Sequence, residues 1–338
     1  MQIRIPGNLL IAGEYAITEA GGMGIAIGID RHVVAKFSER EKFEIIGRYA
    51  NDEVRIAADC AGDSLPALVC RHVISDLKID KNHLSGRWII DSTDLYREGD
   101  KLGYGSSAAT TIATCVSVLH SAKMSRDGSM RALPSIAVGA HRALQSQRAS
   151  GYDILASING GIGLFTGGAT PSWCAISAPW LESIWIMHAS APVQTRGAVD
   201  RYNEWKSRNQ IDASRTVENS NREVGNLAKS KSGSEARRHL DRLRKIGVEL
   251  GRAIGVPADP PADVMEHIAR GAAGSTAGAV AGPVAGASAR AAKSTDSSQC
   301  FYKALGAGNE LIGSFFCRGR PGDGFEPVRI DRDGTAWR

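Results

Sequence analysis

The clearest chemistry in this sequence lies in the run Gly103-Tyr104-Gly105-Ser106-Ser107-Ala108-Ala109. Glycines at 103 and 105 let the backbone turn tightly and approach an anion with no Cβ in the way. An apolar helical pattern follows over residues 106–120, with Ile112, Cys115, Val116 and Leu119 on one stripe. Unpaired amides and the dipole at such a helix start favour a phosphate. The hydroxyls of Ser106 and Ser107 can bond phosphate oxygen, and Ser107 can reach a hard, oxygen-seeking cation such as Mg2+. Lys101, just ahead of the turn, adds a mobile positive charge. Two other readings stay open for this segment. GYGSSA fits the G-x-G-x-x-A dinucleotide fingerprint, although it follows the polar run REGDK rather than an apolar strand. It also fits an ordinary glycine turn with serine caps. The pattern GxxxxGK[ST] is absent.

A second constellation runs from His141 to Asp153. A helix leads into the small-residue turn Ala149-Ser150-Gly151-Tyr152, which presents Asp153 ahead of the apolar stretch 154–158. A carboxylate there can take a proton from a substrate hydroxyl, or can serve only as a helix N-cap. Arg148 can hold an anionic group or simply be exposed, and His141 reads as a structural histidine. A third segment, Gly306-Ala307-Gly308-Asn309-Glu310, precedes an apolar run, where a glycine pair marks either a plain turn or close approach to a ligand.

The elements that must position these residues alternate strand and helix through the first half. Strands are expected over 2–5, 9–12, 23–29, 32–37, 42–46, 53–57, 87–91 and 160–165. Helices are expected over 67–77, 106–120 and 135–145, the last entered just after Pro134. The pattern loosens over 167–179, which separates a domain at 1–175 from one at 176–338. Past it come a strand at 184–188 and a polar stretch, 203–233, read as a helix broken by a flexible loop at Lys229-Ser230-Lys231-Ser232-Gly233. An amphipathic helix at 235–254 is ended by Gly255 and Pro257. A short helix at 262–270 and a strand at 311–317 flank an Ala/Gly/Ser-rich tract at 271–299, read as a mobile loop or an alanine-rich helix.

Composition narrows the classes. The 338 residues carry a formal charge of +5 and are 43% hydrophobic, ordinary for a two-domain globular chain. The basic cluster Arg237, Arg238, Arg242, Arg244 and Lys245 falls at helical spacing with no aromatic residues between, so it reads as a solvated face and not a nucleic-acid surface. The six cysteines show no metal-ligand spacing and are expected to be reduced, which points to the cytoplasm. Neither a signal peptide nor a membrane span is apparent, and no membrane partner is expected.

In this order the segments resemble the GHMP kinase family. The run from Pro6 to Ala16, PGNLLIAGEYA, looks like the family's first motif; Gly103 to Ala109 matches the second, and Gly306 to Gly308 begins the third. Glu14-Tyr15-Ala16, the REGDKLGYGSS run and the SGYD turn are most similar to the phosphomevalonate kinase branch. The resemblance implies a two-domain α+β fold, with an N-terminal nucleotide-binding domain and a C-terminal ferredoxin-like domain. It implies ATP and Mg2+ as cofactors, a small anionic metabolite as substrate (phosphomevalonate foremost), and a monomer or homodimer. Gly103 to Ala109 would then surround the ATP phosphates, Ser107 would sit near Mg2+, and Asp153 and Lys101 would be catalytic. Asn8, Glu14, Tyr15, Arg148, Ser150 and Gly306 would line the acceptor. Asn8 stands where the first motif commonly carries lysine, and Lys101 is the nearest replacement for that charge. The alternatives are a kinase of the same family for another alcohol, and a catalytically weak nucleotide-binding relative.

Overall fold

A computed structural model describes residues 1–144, 149–181, 184–188, 195–260, 265, 300–306, 311–317 and 320–337. The short helix expected at 262–270, all but one residue of it, the tract 271–299 and Arg148 lie outside these. Two compact units emerge: Met1–Ser177 with Ser214–Ala228 and Ile330–Arg338, and Ala178–Ala213 with Lys229–Arg329.

In chain order the first unit contains β1 (Gln2–Ala12), β2 (Met23–Ser38), β3 (Glu44–Tyr49), β4 (Asp52–Ala57), α1 (Leu65–Asp76), β5 (Arg87–Asp91), β6 (Tyr96–Arg97), β7 (Asp100–Lys101), α2 (Ser106–Ser121), α3 (Arg126–Leu144), α4 (Tyr152–Asn159), β8 (Ile162–Thr166) and β9 (Ser172–Ala175). The second holds β10 (Ile184–His188), α5 (Thr195–Arg208), a further long helix and three further strands, while α6 (Gln210–Lys229) gives its 214–228 portion to the first unit. After α7 (Gly233–Ile254) come β11 (Phe301–Leu305), β12 (Leu311–Phe315) and β13 (Glu326–Val328), and β14 (Ala336–Trp337) returns to pair with β1.

The first unit's sheet runs β14-β1-β2-β5-β3-β4, with β8 on the opening half of β2 and β9 on β8. All its pairs are antiparallel except β3 with β5. Sequence reading splits β1 at Pro6-Gly7, but the strand continues through a register shift there. A proline at a bulge forfeits no ladder bond, so the strand tolerates it. Pro134 likewise lies inside α3 and does not start it; burial of Ser129 and Leu133 recruits the preceding turns. Tertiary packing outweighs the one hydrogen bond that proline removes.

Helix α2 is buried on nearly every side despite its serines and threonines. Their hydroxyls turn back onto the helix's own carbonyls: Thr111 donates to Ser107 O at 2.9 Å, Thr114 to Thr110 O at 2.9 Å and Ser117 to Ala113 O at 2.8 Å. Small polar residues satisfied in this way cost little when buried and let neighbouring elements approach closely.

The second unit's four-stranded sheet has the order β11-β12-β10-β13, antiparallel throughout, the order of a ferredoxin-like split βαβ. The polar stretch 203–233 is ordered differently from expectation. The helix breaks at Asn209, and 230–232 form a short link in place of a flexible loop. Ser232 Oγ accepts from Glu235 N at 3.3 Å and Glu235 Oε2 accepts from Lys231 N at 2.9 Å, a capping arrangement that fixes the start of α7.

The cysteines also depart from the expectation of reduced thiols. Cys300 and Cys317 form a disulfide, with Cα atoms 4.8 Å apart, because the β11–β12 ladder brings its outer ends together. Cys60 and Cys70 remain thiols with sulfurs 2.7 Å apart, and Cys174 is exposed. Among the described residues no helix is long and apolar enough to cross a membrane.

Candidate active site

The glycine-serine turn is entered from the hairpin β6–β7, whose tip is Glu98 and Gly99, both with positive φ (52° and 96°). This shape suits a two-residue turn matched to the strand twist. Lys101 is exposed on β7 opposite Tyr96, and the next residue, buried Leu102, donates its N–H to Leu95 O at 3.1 Å. The polar REGDK run is therefore a short hairpin, and it presents the lysine immediately before the turn.

Gly103 and Gly105 both take left-handed φ, 72° and 71°. Gly105 is the N-cap of α2 and offers no side chain to bond the helix's first amides. The seven-residue run then divides by exposure. Gly103 is exposed and Gly105 and Ser107 are half-buried, whereas Tyr104, Ala108 and Ala109 are fully buried and Ser106 nearly so. The buried members seat the turn, and Gly103, Gly105 and Ser107 are the ones a ligand can meet. The arrangement suits an anion: backbone donors at a helix start, a hydroxyl beside them, and no Cβ to intervene.

Strand β1 supports the turn from beneath. The Asn8 N–H donates to Tyr104 O at 3.0 Å, and a Cβ on Gly7 would stand 2.6 Å from that same oxygen, so only glycine admits the approach. Asn8 itself is 2% exposed and its Nδ2 donates to Ser157 Oγ at 3.0 Å. The expected acceptor-lining residue is thus a buried bridge.

Asp153 opens α4 behind Gly151, another left-handed residue (φ 89°). Its Oδ1 accepts from Ile154 N at 2.9 Å, and its Oδ2 lies 3.6 Å from Nδ1 of buried His141. The carboxylate stays partly open, with its side chain 20% exposed. Arg142 organises the preceding turn: its guanidinium donates to the carbonyls of Ala149 (3.0 Å), Ser150 (2.9 Å), Gly168 (2.7 Å) and Ala169 (2.8 Å). Five donors in a fixed fork make arginine suited to gathering several carbonyls. Sequence reading missed Arg142 and Ser157. The only signal for Ser157 was its place four residues after Asp153, on the same face of a helix.

Of the remaining residues, Ser150 is half-buried with its Oγ accepting from Tyr152 N at 3.4 Å, and Glu14 is half-buried. Tyr15 is 5% exposed at φ 62°, so its ring belongs to the core. Gly306 (φ 79°) ends β11 in the second unit, and the rest of that motif, 307–310, lies outside the described residues.

Two other features in the first unit are separate. Asp30, His32 and Asp331 form a grouping of metal-ligand type. Yet His32 Nε2 meets Asp331 Oδ2 at 2.8 Å while Nδ1 meets the Arg4 guanidinium at 3.0 Å, so both ring nitrogens are engaged and a cation already sits there. The network pins the returning C-terminal segment, whose Asp331 N–H donates to Gly28 O at 3.0 Å. An open cavity of about 1180 Å³ lies by the far end of α2, lined by Phe37, Arg40, Lys42, Arg87, His120 and Lys123 among others, away from the glycine turn.

The fold is that of the solved GHMP kinases, among them a phosphomevalonate kinase and a mevalonate kinase. In sequence the chain is similar to the phosphomevalonate kinase of Streptomyces sp. (strain CL190), 26% identical over 197 residues that make up 52% of this chain and 48% of that protein. The match therefore spans about half the length of the curated relative. A Lin0012 protein from Listeria innocua superposes with a TM-score of 0.75 at 18% identity, over 99% of this chain and 98% of that one. Streptococcus pneumoniae phosphomevalonate kinase, solved with phosphomevalonate and AMPPNP, superposes at 0.71 and 14% identity, over 98% and 99% of the two chains. No family model matches the chain.

Proposed function

We propose that this protein is an ATP-dependent phosphotransferase that moves the γ-phosphoryl group to a small anionic metabolite, with phosphomevalonate the leading acceptor. The observation that carries the reading is the pairing of the uncapped α2 start at Gly105 with the partly open Asp153 carboxylate on α4. The likeness to phosphomevalonate kinases in sequence and fold supports it.

The residues fit an ATP-Mg complex: two left-handed glycines at a helix start with no side-chain cap, a serine hydroxyl, and an exposed lysine on the adjoining strand. Bound Mg2+ would neutralise phosphate charge. Gly103, Gly105 and the first amides of α2 would hold the phosphates, and Ser107 would offer its hydroxyl to the metal, which keeps most of its waters. Asp153 would accept the proton of the attacking acceptor oxygen, held in place by the Ile154 amide and the turn that Arg142 ties. Lys101 would supply the positive charge that Asn8 does not. Phosphoryl transfer asks mainly for positioning and charge stabilisation, and these groups provide both.

A coupled ADP-release assay over a panel of small alcohols and phosphorylated alcohols tests the reading. Phosphomevalonate should give the largest acceptor-dependent rate, and Asp153→Asn should lower turnover by about a hundredfold or more while nucleotide still binds. A wild-type protein that binds nucleotide yet turns over no acceptor would replace this reading with a nucleotide-binding relative that lacks catalysis.

A further inference from the structure

We infer that Asn8 is a positioning residue that locks the phosphate turn to the helix bearing Asp153, an inference that rests on the phosphoryl-transfer reading above. Two adjacent groups of this one residue reach the two halves of the site. The main-chain N–H holds Tyr104 O at 3.0 Å, in the turn, and the carboxamide holds Ser157 Oγ at 3.0 Å, on α4. Ser157 is fully buried and lies one turn beyond Asp153, a rise of about 6 Å along the same face. Gly105 completes the contact, since a Cβ there would stand 2.1 Å from Asn8 Nδ2.

The side chain is 2% exposed and its residue sits inside the paired strand β1, so neither bond has water to replace it and the residue has little freedom to follow one partner alone. A shift of the turn relative to α4 must break one of the two bonds. A displacement of about 1 Å between nucleotide and acceptor groups is enough to cost on the order of a hundredfold in rate.

This account explains an asparagine at a position where the first motif commonly carries lysine. The site needs a short planar donor that fits between Gly105 and Ser157. A lysine would bring a longer stem and an ammonium into a closed space. The position therefore serves geometry here, and charge is left to Lys101.

The test uses the full chain with Asn8→Ala, Ser157→Ala and the double variant, read in two ways. Amide hydrogen exchange over 103–108 and 152–157 reports the coupling without any need for activity. Each single variant should raise exchange in both segments, and for Ser157→Ala that includes 103–108, which the substitution does not touch. In the ADP-release assay each should lower kcat about tenfold or more while KM for ATP changes by less than about threefold. The double variant should be no worse than the worse single one, because losing either partner already breaks the bridge. Exchange that rises in only one of the two segments, or kcat losses that add, would overturn the inference. If the wild-type chain turns over no acceptor, the functional reading fails by itself, and the exchange result still decides whether Asn8 couples the segments. Should Asn8→Ala fail to fold, Ser157→Ala removes a single hydroxyl and probes the same bond.

Discussion

At its N-terminal end α2 meets two left-handed glycines, a half-buried serine and the backbone of β1. At its C-terminal end, about 24 Å away along a helix of this length, it meets aromatic bulk. The His120 ring lies 4.6 Å from Phe37, 5.5 Å from Trp88 and 6.3 Å from Trp337, while Trp88 Nε1 donates to Ser121 Oγ at 3.1 Å. One helix thus carries two kinds of end. The aromatic end buries area and holds the sheet; the glycine end gives up side chains so that backbone can be reached. Stability and ligand binding should therefore respond to substitutions at different ends.

The largest effect is expected at the aromatic end. Trp88 is fully buried, and Trp88→Ala should cost about 3–5 kcal/mol of unfolding free energy, as large aromatic truncations in cores do. Denaturant titration measures it. Well below the unfolding transition, nucleotide affinity should stay near wild type. If the variant loses nucleotide binding in step with stability, the two ends are not separable and the comparison fails.

Gly105→Ala is the converse. The added Cβ would meet Asn8 Nδ2 at 2.1 Å, and the alanine would have to hold φ 71°, so the turn has to move. Turnover should fall by about a hundredfold, roughly 2.7 kcal/mol of transition-state stabilisation, with a smaller loss of stability than Trp88→Ala. A folded, fully active Gly105→Ala protein would separate the turn from the site. Ser107→Ala should be milder. It removes one hydroxyl from a half-buried position and leaves the backbone in place. A drop of about tenfold in kcat/KM for ATP-Mg is expected, about 1.4 kcal/mol. An unchanged value would reduce Ser107 to a helix-start residue with no ligand.

The comparison also separates what the sequence reveals from what it conceals. The conformation of the glycine end is legible because it is local: glycine, glycine and serine before an apolar run state their own backbone geometry. Strands β5 and β10 are legible for the same reason, as short apolar runs bounded by polar turns, and both fall at the expected residues. The Asp153 side is less so. Arg142 gathers carbonyls 7 to 27 residues away, and the Asn8–Ser157 bond spans 149 residues. No local pattern encodes such partners. Tyr15 shows the same limit, since its motif position suggests a ligand contact while burial assigns its ring to the core. Pro6 and Pro134 mislead in the opposite direction. Each is a strong local breaker whose effect is absorbed, one by a bulge and one by packing around Ser129 and Leu133.

The smallest expected effect sharpens the aromatic end. Burial lowers the pKa of His120 below its ordinary 6.5, and the positive N-terminus adds to the shift. The neutral imidazole is therefore the form the fold accepts, and protonation opposes it. A group whose folded pKa is depressed adds stability in full above its unfolded value, and that stability is lost as pH falls through about 6.5 toward the folded value. The protein should thus lose part of its thermal stability between pH 7.5 and 5.5. His120→Gln cannot titrate, so it should show a flatter profile over that window, although it is less stable at pH 7.5 through lost ring contacts. The other ionisable groups are common to both proteins and leave the difference between profiles intact. Parallel profiles for wild type and His120→Gln would mean that the ring is no more than packing. Convergence of the two on acidification would place a titrating group in the aromatic end of α2, with the glycine end untouched by the same change.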